Sequence, residues 1–273
     1  MKSKQMKIYE DYLNMLVEGH VNSVLCYSKA GLGKTYTTIK LLKKMGVTYT
    51  YNSGVSTAVS LYKIFHDNSD KVIILDDIET IFQDERVINL LKAGLWEVDG
   101  KRILSYKTTS KTLEDYPETF EFTGRIIILA NEIKGRYDES FKALMSRCLK
   151  YELTYSFQEI IEISYKMIEE REDINDKEKT QVNNIIYNTI SPEHNFNFRL
   201  LERLVAFVKY DSGKAEELFL NSLDVDEETE IVMDILRRYT ITNDQISAYQ
   251  ELTGRSRMTF FRKKKKLKAE GLI

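Results

Sequence analysis

The segment Ser28–Thr35 has the sequence SKAGLGKT, in which a lysine and a threonine follow a glycine. The pattern G-x-x-x-x-G-K-[ST] forms a loop whose backbone N–H groups surround phosphate oxygens, while its lysine reaches the β- and γ-phosphates and its hydroxyl binds Mg²⁺. Serine replaces the first glycine here and is small enough for that position, so the segment predicts a phosphate-binding loop. The alternative is a strand–helix turn that binds nothing. The predicted nucleotide-binding residues are Ser28, Lys29, Ala30, Gly31, Leu32, Gly33, Lys34 and Thr35.

Two adjacent carboxylates, Asp76 and Asp77, end the apolar run KVIILDD at residues 71–77. Such a run is typical of a central parallel strand, and ligands bind at the carboxyl ends of those strands. In enzymes with a phosphate-binding loop, a strand-end acid holds Mg²⁺ and a neighbouring acid orients water. The sequence therefore predicts Thr35 and Asp76 at a metal and Asp77 as the residue that acts on water. Asp77 is shorter than the more common glutamate, and its alternative role is a helix N-cap.

These residues need a sheet to bring them together, and apolar strand patterns alternate with helical ones over the first part of the chain. We expect an α/β fold with a five-stranded parallel sheet, then helices only. The predicted domains are a nucleotide-binding core at 1–155, a helical lid at 156–222 and a basic C-terminal unit at 223–273. The predicted strands cover residues 21–27, 47–52, 71–77, 125–131 and 148–155.

The composition favours a globular protein without a membrane segment. The 273 residues are 42% hydrophobic and 30% charged, with a net charge of -2. The longest apolar runs are too short to span a bilayer, and the N-terminus has no apolar core of a signal peptide. Both cysteines, Cys26 and Cys148, lie in or beside apolar runs, which predicts reduced core thiols. We expect a cytoplasmic protein, in the host cytoplasm if a phage encodes it.

The order of these motifs resembles that of the AAA+ ATPases, with SKAGLGKT as Walker A and IILDD as Walker B. The resemblance covers about residues 20–220 and implies ATP and Mg²⁺ as cofactors. It implies that Asn131, which ends the strand RIIILAN, contacts the γ-phosphate or the attacking water. The catalytic residues that the resemblance implies are Lys34, Asp77, Asn131 and Arg147.

The resemblance also implies two arginine roles. Arg147, in FKALMSRCLKYEL, holds the place of an arginine finger that reaches a neighbouring subunit's nucleotide. The alternatives are Arg136 as the residue that contacts the neighbour, or an Arg147 that pairs with a carboxylate at a helix end. Arg199, in FNFRLLERL, corresponds to a lid arginine that contacts the nucleotide. Arg203 is the alternative residue for that role, and the other possibility is that Arg199 is a solvated lid residue without a functional contact.

The C-terminal segment suggests contact with DNA. Residues 255–268 carry eight basic side chains and no acidic one, after a helix and a glycine-containing turn, in the order of a helix-turn-helix. We expect Met258, Phe261 and Leu267 to face the core; the alternative for the whole run is a solvated lysine-rich helix end. Predicted DNA contacts are Arg255, Arg257, Arg262, Lys263, Lys264 and Lys265, with Lys107 and Lys111 on a predicted hairpin between residues 100 and 124. The alternative for that pair is an ordinary edge hairpin with solvated lysines.

Together these features predict a Mg²⁺-dependent ATPase that forms a homo-oligomeric ring, either a hexamer or an open ring. Its expected role is on DNA, in replication initiation, helicase loading or as a phage- or plasmid-type helicase, with a replication protein as a further partner. The stretch from LLKAGLWEVDGKRILSY to FEFTGRIIILAN resembles phage-type ATPases in its layout. The alternatives are a DNA-binding regulator or segregation factor that uses ATP binding as an assembly switch, and a protein-remodelling AAA+ ATPase.

Overall fold

The computed structural model describes residues 4–54, 57–77, 84–107, 111–131, 139–191, 194–223, 227–269 and 273. The chain divides into two compact units, Met1–Thr154 and Tyr155–Ile273. Within the described residues, none of the helices is both long and apolar enough to cross a lipid bilayer. The division of the second unit at residue 222 stays a prediction.

The first unit is an α/β layer structure. Its helices are α1 (Lys4–Val17), α2 (Lys34–Lys44), α3 (Ala58–Asp67), α4 (Glu85–Leu95) and α5 (Glu139–Met145). Its strands are β1 (Ser23–Tyr27), β2 (Tyr49–Ser53), β3 (Val72–Asp76), β4 (Ile103–Ser105), β5 (Thr119–Glu121), β6 (Arg125–Ala130) and β7 (Leu149–Glu152). Five of these strands form one parallel sheet in the order β2-β3-β6-β1-β7, which confirms the predicted fold class.

The central strands are buried because helices cover the sheet. All five residues of β3 and the last five of β6 are buried, as expected for continuous apolar runs in a parallel sheet. On one face, Phe65 of α3 and Leu91 of α4 pack in the same cluster as Ile73 and Ile126. On α1, the hydroxyl of Tyr9 lies 2.6 Å from Thr38 Oγ1 of α2. Both cysteines are buried free thiols, as predicted.

Strands β4 and β5 pair antiparallel, which confirms the predicted hairpin. Buried Arg102 anchors its base, with Nη1 donating to Gly94 O at 3.0 Å and Nη2 to Gly124 O at 2.6 Å. Burial lowers the pKa of Arg102 to about 10. Near the other end of the hairpin, Lys107 Nζ lies 3.9 Å from a carboxylate oxygen of Glu118.

The second unit is helical in its described residues. Its helices are α6 (Phe157–Glu169), α7 (Asp176–Thr189), α8 (Phe198–Tyr210), α9 (Ala215–Asn221), α10 (Glu227–Arg238), α11 (Thr242–Thr253) and α12 (Arg257–Ala269). Helices α10 to α12 share an apolar core, and α11 ends at Gly254, whose φ of 67° favours glycine. The buried core residues are Val232, Ile235, Ile246, Tyr249, Phe260 and Leu267.

The expected apolar side of α12 is partly wrong. Leu267 is buried as predicted, but Met258 is 64% exposed and Phe261 is 39% exposed. Phe260 takes the core position instead, because it lies seven residues before Leu267 and so on the same side of the helix.

Candidate functional site

The loop of residues 28–33 joins β1 to α2 and has the backbone that a phosphate-binding loop needs. Gly31 and Gly33 have φ values of 80° and 77°, a left-handed region that side chains with a Cβ rarely adopt. Ser28, which is one of the described residues, does not have a positive φ. The backbone therefore requires glycine at positions 31 and 33, and position 28 accepts serine without strain.

Lys34 opens α2 and is only 7% exposed. Its ammonium donates to Ser28 O at 3.2 Å, Ser28 Oγ at 3.1 Å and Lys29 O at 3.4 Å, and to Asn131 Oδ1 at 3.2 Å. The serine hydroxyl in turn donates to Lys29 O at 2.8 Å. The unusual serine thus helps to hold the lysine inside the loop, a contact that a glycine could not make.

Asp76, the last residue of β3, is 5% exposed and accepts three hydrogen bonds. Its Oδ2 accepts from Thr35 Oγ1 at 2.6 Å and from the Tyr51 hydroxyl at 3.0 Å, and its Oδ1 accepts from the backbone N–H of Asp77 at 3.0 Å. The structure therefore brings together the two residues that the sequence predicted at a metal, Thr35 and Asp76.

Asn131 follows β6, which lies between β1 and β3 in the sheet. Its side-chain amide contacts both neighbours, because Oδ1 accepts from Lys34 Nζ at 3.2 Å and Nδ2 donates to Asp77 Oδ1 at 3.3 Å. Asp77 has a φ of 52°, a conformation that costs roughly 1–3 kcal/mol in a residue other than glycine. Strain of this kind concentrates at functional sites. The three predicted catalytic residues Lys34, Asp77 and Asn131 thus form one connected group.

Sequence reasoning missed Tyr51 on β2. Tyr51 pairs with Ile74 and Ser53 pairs with Asp76, so Tyr51 lies diagonally opposite Asp76 on the same face of the sheet. Burial, and then the hydrogen bond to Asp76, raise the pKa of Tyr51, so its hydroxyl remains a proton donor at neutral pH. The sequence does show a tyrosine on β2, but its relevance to Asp76 becomes apparent only once β2 is known to pair with β3.

The oxygen donors at this edge fit Mg²⁺, which prefers hard oxygen ligands and usually keeps waters and phosphate oxygens in its shell. Thr35 and Asp76 would hold the ion, and Tyr51 would orient the carboxylate from outside the ligand shell. Among the described residues, no group of three or more His, Cys, Asp or Glu side chains could hold a metal alone. Waters and phosphate oxygens would complete the ligand set around Thr35 and Asp76.

Arg147 lies between α5 and β7, at the amino edge of the sheet. Ser23 Oγ, at the start of β1, donates to Arg147 O at 3.3 Å. The loop begins five residues later, about 16 Å along an extended strand, which exceeds the reach of an arginine side chain. Arg147 Nη1 donates to Ala143 O at 2.7 Å and the guanidinium lies 5.8 Å from the centre of the Trp96 ring. Arg147 is therefore separate from its own chain's phosphate-binding loop.

The remaining predicted arginines lie in other parts of the chain. Arg199 is in the first turn of α8, where its N–H donates to the capping Asn197 Oδ1 at 3.0 Å. The side chains of Arg199 and Arg203 are exposed. Arg136, the alternative to Arg147, lies outside the described residues.

The predicted DNA contacts divide into two groups. Arg255 Nη1 lies 2.6 Å from Glu228 Oε2, and Lys264 Nζ donates to Gln245 Oε1 at 3.0 Å, so both hold the three-helix unit together. The others on α12 are exposed, except for half-buried Lys263. The Lys107 side chain is exposed beside Glu118, and the Lys111 side chain lies outside the described residues.

Comparison with solved structures identifies the fold. The RuvB Holliday junction branch migration motor of Thermotoga maritima superposes with a TM-score of 0.50, covering 95% of this chain and 87% of that chain at 14% identity. RuvB is a AAA+ ATPase, and the shared architecture includes the five-stranded parallel sheet and the helices that follow it. This chain has the AAA+ fold.

Other similarities are more distant or lack a described function. The Escherichia coli HORMA:CdnC:Trip13 complex contains a chain with a TM-score of 0.48 and 10% identity, covering 80% of this chain and 87% of that one. An uncharacterized 36.7 kDa protein of Enterobacteria phage T4, from the nrdC-mobD intergenic region, is 26% identical over 238 residues, or 79% of this chain and 72% of that protein. No protein-family model matches this chain.

The Tyr51 hydroxyl predicts a measurable effect on metal dependence. In Tyr51→Phe, Asp76 Oδ2 keeps its bond from Thr35 but loses the second donor. We expect the Mg²⁺ concentration that half-saturates binding of a fluorescent ATP analogue to rise by roughly tenfold, because partners outside the ligand shell hold metal ligands in orientation.

The matched control is Tyr49→Phe, which removes a hydroxyl two residues earlier on the same strand. It should leave the Mg²⁺ dependence unchanged. Equal Mg²⁺ curves for Tyr51→Phe and the unmodified protein would show that Tyr51 has no part in the site.

Proposed function

We propose that the chain hydrolyses ATP to ADP and phosphate with Mg²⁺ and uses that reaction in work on DNA. One observation carries the proposal: side chains at the carboxyl ends of β3 and β6 meet the lysine and threonine that open α2. The contacts are Lys34–Asn131–Asp77 and Thr35–Asp76. A loop, a metal position and a residue for water at one sheet edge are the parts that phosphoryl transfer to water needs.

Each residue has a role that its position supports. The backbone of residues 28–33 and the N-terminus of α2 bind phosphate oxygens. When nucleotide binds, the Lys34 ammonium donates to the β- and γ-phosphates instead of to the loop carbonyls. Mg²⁺, when bound at Thr35 and Asp76, neutralises phosphate charge. Asp77 orients and deprotonates the attacking water. Asn131 contacts both Lys34 and Asp77, and it holds the attacking water in position relative to the γ-phosphate.

A second subunit completes the proposed site. Arg147 is too far from its own loop to act there, so an arginine finger at this position has to serve a neighbouring chain, where it stabilises charge on the γ-phosphate. To do so it has to leave Ala143 and Trp96. We therefore propose a homo-oligomeric ring, with six subunits expected, in which Arg199 of the lid contacts the nucleotide.

DNA is the proposed partner because α12 presents basic side chains on a small helical unit. Helices α11 and α12 are separated by the turn at residues 254–256, which fits a helix-turn-helix. RuvB, one of the structural neighbours, is a motor of Holliday junction branch migration. The hairpin is the weaker candidate contact, because its exposed Lys107 lies 3.9 Å from a carboxylate oxygen of Glu118. The proposed roles on DNA are replication initiation, helicase loading or helicase activity, and the proposed location is the cytoplasm.

The ATPase proposal predicts different effects for two variants. Lys34→Ala removes the ammonium and should abolish turnover and weaken nucleotide binding. Asp77→Asn should bind a fluorescent ATP analogue within a few-fold of the unmodified protein yet hydrolyse ATP at least about a hundredfold more slowly, because it loses only the base. Steady-state phosphate release, with and without single-stranded and duplex DNA, measures the turnover of both variants, and titration with the fluorescent ATP analogue measures their nucleotide binding.

Lys44→Ala serves as the control, since Lys44 makes an exposed ion pair with Glu10 at the far end of α2. Normal turnover in Lys34→Ala would refute the proposed site. Nucleotide-dependent assembly without hydrolysis under any DNA condition would instead support the assembly-switch alternative.

The shared site predicts that two inactive variants restore each other's activity. An Arg147→Ala chain keeps its own loop, and a Lys34→Ala chain keeps its Arg147. A mixture of the two should therefore hydrolyse ATP although neither does so alone, because the Lys34→Ala subunit supplies the arginine to its neighbour's intact loop. Lys142→Ala, which removes an exposed charge from helix α5 shortly before Arg147, should leave turnover unchanged. Absence of turnover in the Arg147→Ala and Lys34→Ala mixture would mean that the site lies within one chain.

A further inference from the structure

The outer face of α12 combines basic and apolar side chains. We use the term α12 outer face for its exposed residues before the C-terminal alanine. Met258 is 64% exposed and Phe261 is 39% exposed within a helix that has no acidic residue. The α12 outer face consists of Arg257, Met258, Phe261, Arg262, Lys265, Lys266 and Lys268.

The inner side of α12 fixes this face in place. Phe260 and Leu267 are buried, and the Phe260 ring lies 5.2 Å from the Tyr249 ring of α11. Lys264 is tied to buried Gln245 of α11 at 3.0 Å. Ahead of the helix, Glu228 of α10 accepts from both Arg255 and the Tyr249 hydroxyl. The outer face is therefore held in position by the packed side of its own helix.

On the α12 outer face, two arginines lie along the two apolar side chains. The Arg257 guanidinium carbon is 5.5 Å from the centre of the Phe261 ring, and Arg262 Nη2 lies 3.5 Å from Met258 Sδ. Both pairs are four residues apart, so they are neighbours on the helix surface. Arranging planar guanidinium groups beforehand lowers the entropy lost on binding, and a guanidinium fits the O6 and N7 acceptors of guanine.

Phosphate neutralisation alone does not account for this composition. Lysines suffice for phosphates, and they contact them without regard to base sequence. Exposed Met and Phe side chains instead fit an apolar ligand group beside the phosphates. In the major groove of B-form DNA that group is the C5-methyl of thymine, and the groove, about 12 Å wide, admits an α-helix. A helix of 13 residues is about 20 Å long and can lie within it.

We propose that the α12 outer face binds in the major groove of duplex DNA, where Met258 and Phe261 contact thymine methyl groups and Arg257 and Arg262 contact guanines. The inference rests on the proposed action on DNA and specifies its substrate as B-form duplex of preferred sequence. Single-stranded DNA fits less well, because base stacking needs an open aromatic face. Arg257 lies over the Phe261 ring, and the Phe260 ring packs near it at 5.6 Å.

The test compares thymine with deoxyuridine, which lacks only the methyl group. Duplexes selected by the full-length protein from a random-sequence pool are remade with deoxyuridine, and affinities are measured by fluorescence anisotropy at one salt concentration. We expect about fourfold weaker binding for each contacted methyl that is lost. Met258→Ala, a change at an exposed position, should reduce the thymine preference, and the double variant with Phe261→Ala should abolish it.

Lys265→Ala is the matched control. It should weaken binding to both duplexes equally and lower the salt dependence by about one unit of log–log slope, as expected for a phosphate contact. Duplex binding with equal affinity for thymine and deoxyuridine would refute this inference and leave the action on DNA intact. Tighter binding to single strands of the same sequence would refute it as well. Failure to bind any DNA at low salt would refute both, and the ATPase proposal would still be judged by its own variants.

Discussion

The position of β6 between β1 and β3 is the constraint on which the site depends. It places the amide of Asn131 between the Lys34 ammonium and the Asp77 carboxylate, at 3.2 Å and 3.3 Å. A primary amide has an acceptor and a donor at opposite ends, so it can contact a cation and an anion at once. The strand order therefore links the phosphate-binding loop to the acids, and the left-handed backbone of Asp77 is the local cost of that arrangement.

Much of this site was predictable because its residues follow strongly apolar strands. Continuous hydrophobic runs indicate buried parallel strands, whose carboxyl ends share one edge of the sheet. That reasoning predicts Asp76 and Asp77 at the edge where the structure has them, whereas the resemblance to AAA+ ATPases singled out Asn131. The role of Ser28 was only partly predictable: its small size was apparent from the sequence, whereas its hydrogen bond to Lys34 depends on the conformation of the loop.

Other features depend on pairings that lie far apart in the sequence. Tyr51 contacts Asp76 only because β2 and β3 pair in one particular register. On α12, apolar residues occur at several phases of the helix, so its periodicity alone does not select the buried side. Packing against α10 and α11 makes that selection, burying Phe260 and leaving Met258 in solvent. The roles of Arg147 and Arg199 involve a neighbouring chain or the lid, and they remain proposals drawn from the resemblance to AAA+ ATPases.

We propose that the Asn131 amide couples phosphate binding to water activation. Single-turnover ATP hydrolysis by Asn131→Ala, with binding of a fluorescent ATP analogue measured in parallel, tests this coupling most directly. We expect binding within a few-fold of the unmodified protein and hydrolysis slower by about a hundredfold or more, because positioned polar groups act mainly on the transition state. Hydrolysis at the unmodified rate would show that the amide has no such role.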